Sequence, residues 1–89
     1  MRQMPLNSAF HGVLIRMFFT EHGLPHFHAE YAEREALFRM DTLEIYSGEL
    51  PNRARALVVE WASLHRNELL ENWERAKEGI PLKGIEPLV

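Results

Sequence analysis

Residues 50 to 79, LPNRARALVVEWASLHRNELLENWERAKEG, carry an apolar stripe that a lone helix cannot bury. At 100° per residue, Ala54, Leu57, Val58, Trp61, Ala62, His65, Leu69, Trp73 and Ala76 gather on one face. Arg53, Glu60, Arg66, Glu71, Glu74 and Lys77 lie mostly elsewhere. The spacing predicts one long helix over 51–78. Pro51 suits its first turn, where a missing N–H costs nothing. Gly79 suits the C-terminal cap, and Lys77 complements the negative end of the helix dipole. On the outer face Glu71 and Arg75 are spaced for an i, i+4 pair. Trp61 and Trp73 read as core residues rather than ligand stackers. Such a stripe must cover something, and within one chain the only candidate is a sheet.

The preceding residues supply that sheet. VLIRMFF (13–19) is short and rich in branched and aromatic residues, and reads as a strand. Gly23 and Pro25 punctuate a loop. HFHAEYA (26–32) alternates and reads as a second strand. A turn near Glu33 and Arg34 leads to a third at about 35–41, and LEIYSG gives a short fourth. Short links between successive strands imply an antiparallel meander. The expected fold is therefore α+β: a small antiparallel sheet of three or four strands followed by one long helix packed on one face. Residues 1–12 read as an arm, 13–48 as the sheet, 51–78 as the helix and 79–89 as an extended tail. The 89 residues suffice for one domain, which buries about 60–65% of its unfolded surface.

Composition excludes several function classes. There is no cysteine, hence no disulfide framework and no thiolate metal site. That fits a cytoplasmic location. The N-terminus, MRQMPLNSAF, lacks the apolar stretch of a signal peptide, and no apolar run approaches the length of a membrane span. The net charge of −3 gives no bulk attraction to nucleic acid, although it leaves room for a local basic patch. No glycine-rich phosphate loop, serine nucleophile motif or paired-carboxylate motif is visible.

The chemistry concentrates in EHGLPHFHAEY, residues 21 to 31. Strand alternation puts His26, His28 and Glu30 on one face, and Phe27, Ala29 and Tyr31 on the other. The second set is the natural core face, so the histidines are expected on the outside. His22 precedes the loop and could fold back over them. Two imidazoles at i and i+2 can share one divalent metal ion, with His22 or Glu30 as a third ligand. Zinc fits, and imidazole also suits nickel and copper. The same groups, with His22 assisting, could serve as general base and general acid, since unperturbed histidine titrates near pH ~6.5. Cleavage of RNA would also need a cation for the phosphate. Arg16 and Arg39 on the neighbouring strands could supply it, if strand register puts them on the histidine face. The bland alternative is a plain polar surface. Leu14, Phe18 and Leu37 fall on the same outer face and would suit a homodimer or a partner surface if exposed. His65, within the helical stripe, reads as a core histidine, or else as a fourth member of the cluster.

FHGVLIRMFF, EHGLPHFHAEY, GELPNRA, EWASLHRNELLENW and the closing IEPL together resemble the bacterial domain of unknown function 4160 family, from about Phe10 to Leu88. The specific part is Pro25-His26-Phe27-His28 with His22 upstream. Members often carry a second proline before Pro25, where this chain has Leu24. The resemblance implies no activity. It implies a context: one half of a small two-gene toxin–antitoxin-like pair whose usual companion is of the domain of unknown function 2442 type. Three function classes follow. One is an RNA-directed toxin-like protein acting through His26, His28 and His22; the resemblance places it first. The others are a metal-binding protein ligated by His22, His26 and His28, and a non-catalytic partner-binding module, the antitoxin half.

Overall fold

The computed structural model describes residues 6–18 and 23–89. Five strands form one antiparallel meander: β1 (Leu6–Phe10), β2 (Val13–Arg16), β3 (His26–Tyr31), β4 (Arg34–Arg39) and β5 (Ile45–Gly48). Two helices follow, α1 (Asn52–Leu64) and α2 (Arg66–Lys77). The α+β class stands; the expectation of three or four strands and one long helix is corrected on both counts.

The additional strand comes from the expected arm. Leu6–Phe10 pairs with β2 through a two-residue turn at His11 and Gly12, with Phe10 opposite Val13. Both turn residues have positive φ, 48° and 83°. That handedness matches the twist of a hairpin, and glycine usually supplies it. A register shift between Leu6 and Ser8 lets successive residues Asn7 and Ser8 both face inward. The β3–β4 turn lies at Ala32–Glu33, one residue earlier than the sequence suggests, with Ala32 at φ 55°.

The helix is interrupted at His65, whose φ and ψ are −128° and 27°. Neither glycine nor proline marks the break. Tertiary contacts account for it. Trp61 on α1 lies 5.3 Å from the Phe10 ring and 6.2 Å from Phe27, so α1 covers the Phe27 face of the sheet. Phe27 stacks on its register partner Phe38 at 5.3 Å. Val13, Ile15, Ala29, Ala36 and Val58 fill the rest of this core. After the break, α2 runs by the end of the sheet where β1 and β3 begin and β4 ends. Arg66 Nη1 donates to the carbonyls of Met40 and Asp41, at 3.1 and 2.9 Å. Asn72, almost wholly buried, reaches Asn7 on β1. A straight helix could not serve both surfaces.

The tail, residues 80–89, forms neither helix nor strand and is tied to the rest of the domain by hydrogen bonds. Ile85 N–H donates to the Asn7 carbonyl at 2.8 Å, and Trp61 Nε1 donates to the Glu86 carbonyl at 2.8 Å. Asn72 clasps it: its Nδ2 donates to Asn7 Oδ1 (2.6 Å) and Lys83 O (2.8 Å), and its Oδ1 accepts from Lys83 N (2.9 Å). Asn72→Ala strands these partners in a buried setting. It is expected to lower unfolding free energy in urea by about 2–4 kcal/mol. A change below about 0.5 kcal/mol, the level of an ordinary surface substitution, would contradict this role.

Candidate functional site

Register places the expected site residues on one face. Arg16 of β2 lies opposite His28 of β3, and His28 lies opposite Leu37 of β4. His26 lies opposite Arg39. His26, His28, Arg16 and Arg39 thus share the face turned away from α1. His22 lies outside the described residues.

The histidines are not on a solvent face. His26 is 3% exposed and His28 7%. Aromatic rings cover them. Phe18 meets His28 edge-on at 4.5 Å. Tyr46 of β5 meets His26 edge-on at 5.7 Å. Trp73 of α2 approaches the His26 ring to 5.1 Å, because the break at His65 carries α2 past the beginning of β3. The His26 and His28 rings are 5.5 Å apart. The expectation of an exposed histidine face is corrected: a strand end can be buried on both sides when a second helix crosses it.

Hydrogen bonds fix the orientation of each ring. His26 Nδ1 is 2.8 Å from the Leu24 carbonyl, and His28 Nδ1 is 3.1 Å from Glu35 Oε2. Both partners are acceptors only, so each Nδ1 carries the proton and donates. The neutral ring then keeps its lone pair on Nε2. That is the tautomer of a histidine whose Nε2 binds a metal or takes up a proton.

The arginines are engaged by carboxylates. Arg16 Nε donates to Glu30 Oε2 at 3.0 Å. Glu30 lies opposite Glu35 across β3 and β4, a like-charge pair that is unfavourable alone. Arg16 and His28 offset it from the two sides. Arg39 forms a fork with Asp41, Nε to Oδ1 at 2.9 Å and Nη2 to Oδ2 at 2.7 Å. This pairing raises the Arg39 pKa and holds the Asp41 carboxyl below the usual carboxylate range.

Beside His26 opens a cleft of about 270 Å³, lined among the described residues by Gly23, Leu24, Arg39 and Tyr46. Leu24 is 59% exposed and Tyr46 52%. Leu14 and Leu37, expected on this outer face, are half-buried, and Phe18 is buried over His28. His65 faces elsewhere: its ring is 5.5 Å from Trp61 and its Nδ1 donates to Glu68 Oε1 at 2.6 Å. Among the described residues no group of three His, Cys, Asp or Glu side chains is spaced to hold a metal.

Sequence reasoning put Phe18 on the histidine face but missed Glu35, Tyr46 and Trp73 as neighbours of the histidines. Only Glu35 had a legible signal. Once the turn sits at Ala32–Glu33, Glu35 falls diagonally across from His28.

The Asp41–Arg39 pair has a pH consequence. A carboxylate whose folded pKa is lowered contributes stability above its unfolded pKa, about 4, and that contribution is lost as pH falls through the folded value. Asp41→Asn is therefore expected to flatten the acid side of the stability–pH profile, measured by thermal unfolding from neutral pH downward. An unchanged acid slope would show that the pair adds nothing in solution.

A family model described as "Domain of unknown function (DUF4160)" matches residues 12–74. No curated protein and no solved structure matches the chain significantly. No helix among the described residues is long and apolar enough to cross a membrane.

Proposed function

This chain belongs to the domain of unknown function 4160 family, and we propose that it acts as a non-catalytic partner-binding module, one half of a two-gene pair. One observation carries the reading. The His26 and His28 rings are packed under Phe18, Tyr46 and Trp73, while two large apolar side chains of the adjoining cleft, Leu24 and Tyr46, stand exposed. Leu24 and Tyr46 form a rim next to β5, the last strand of the meander. The occupant that fits is an extended segment of another protein. Its backbone would pair with the outer edge of β5, and an apolar side chain would enter the cleft.

RNA cleavage is the weaker reading. The register supports it, since Arg16 and Arg39 share the histidine face. Against it, both rings are buried and both guanidinium groups already face carboxylates.

The natural probe is the protein encoded beside this one, of the domain of unknown function 2442 type in the context the sequence resemblance implies. Co-purification is expected to give a stable complex. Leu24→Glu and Tyr46→Glu should each weaken it at least about tenfold, the scale of a lost interface anchor. His28→Gln should leave the affinity within about threefold, because a buried residue remote from the rim makes little difference. A complex indifferent to both rim substitutions sinks the proposed surface. Self-association of the chain in the same assay would replace the partner with a second copy.

A metal-binding reading retains one favourable observation. Both Nδ1 atoms donate to oxygen acceptors, as is usual for metal-bound histidines. A metal would need a third ligand, and His22 is the candidate from the sequence. Native mass spectrometry of protein purified without a histidine tag decides this. Stoichiometric metal lost in His28→Ala would favour the metal reading, and metal-free wild type would remove it.

A further inference from the structure

A second cleft lies at the other end of β3 and on the other face of the sheet. It is lined by His11, Tyr31, Arg53, Ala54 and Leu57 and holds about 240 Å³. His11 comes from the β1–β2 turn, Tyr31 from the last position of β3, and Arg53 from the first turn of α1. We propose that this cleft binds the phosphate group of a small phosphorylated molecule.

The donor set is the first reason. His11, Tyr31 and Arg53, residues whose side chains carry a ring nitrogen, a phenol hydroxyl and a guanidinium, border one space, and no acidic residue lines it among the described residues. The guanidinium fork matches phosphate oxygens, and a phenol donates a further hydrogen bond. No side chain among the described residues hydrogen-bonds to His11, Tyr31 or Arg53. The cleft beside His26 differs on this point, because Asp41 already occupies Arg39 there.

Backbone shape is the second reason. His11 holds φ at 48°, a conformation unfavourable for a residue with a Cβ. It thereby stands at the cleft mouth in a turn where asparagine or glycine would be the easier choice. Gly12 packs against Tyr31: a Cβ there would come within 3.4 Å of the phenol ring.

Size sets the ligand class. The cleft falls below the range of about 300–1,000 Å³ usual for drug-sized ligands. It suits a phosphate with a small body lying against Ala54 and Leu57, rather than a polynucleotide.

The test is an NMR titration of the isotopically labelled full chain at constant ionic strength, with inorganic phosphate, adenosine monophosphate and adenosine as probes. Saturable amide shifts at His11, Gly12, Arg53 and Ala54 are expected with the two anions and not with adenosine. Arg53→Gln should weaken them at least about tenfold, the scale of one charge-assisted hydrogen bond. Tyr31→Phe should weaken them less. Arg53 is exposed, so its replacement leaves the fold intact. Tighter binding of the nucleotide than of phosphate would assign an organic phosphate, and equal binding would assign the free ion. No saturable shift with either anion, shifts undiminished in Arg53→Gln, or adenosine binding as well as its monophosphate would each overturn the proposal.

Discussion

The buried amide of Asn72 joins three parts of the chain that are distant in sequence. It holds Asn7 at the start of β1, it sits on α2, and it brackets both backbone groups of Lys83 in the tail. Each bond is modest in net terms, about 1 kcal/mol. Their weight comes from geometry. With Lys83 held, Ile85 reaches the Asn7 carbonyl and Glu86 reaches the Trp61 indole. The tail thereby covers the β1 end of the sheet, where an edge would otherwise lie open. A domain of this size has little core to spare, and it fixes its ends by polar clasps.

The same clasp shapes the histidine site. Asn72 and Trp73 are adjacent on α2, so holding the first against β1 sets the second beside His26. Arg66 fixes the other end of α2 on the Met40 and Asp41 carbonyls. His26 is therefore enclosed by a helix anchored at both ends, and Phe18 closes over His28. Burying two imidazoles is tolerable because each Nδ1 has an acceptor.

Much of this fold was legible where the period was strong. The alternation of His26 to Tyr31 and the stripe from Ala54 to Ala76 fixed which faces meet, and Ala54, Val58, Trp61, Ala62, Leu69, Trp73 and Ala76 are buried as the pattern implies. Three failures have distinct causes. Leu6–Phe10 reads as an arm in the sequence because a bulge at Asn7 breaks its alternation and no Asn-Gly pair marks the turn. The helix break at His65 has no residue signal; contacts sixty-five positions apart in sequence, such as Asn72 with Asn7, impose it. The depth of His26 and His28 depends on where α2 goes after that break, so a strand pattern alone placed them outside. The shared face of Arg16 and Arg39 is a matter of two registers: β2 against β3 for Arg16, and β3 against β4, set by the Ala32–Glu33 turn, for Arg39.

Charge placement distinguishes the two ends of the sheet. At the His26 end, Arg16 is paired with Glu30, Arg39 with Asp41, and the His28 N–H with Glu35. An anionic ligand arriving there would have to displace a carboxylate already in contact. Apolar contact with Leu24 and Tyr46 requires no such displacement, which favours a protein segment over a phosphate at that end. At the Tyr31 end His11, Tyr31 and Arg53 face a cleft without a carboxylate among the described lining residues. An anion loses less there on binding, since no internal ion pair has to break first. A net charge of −3 does not exclude such a pocket, because what an anion meets first is the local lining, and among the described residues that lining holds Arg53 and no acidic residue.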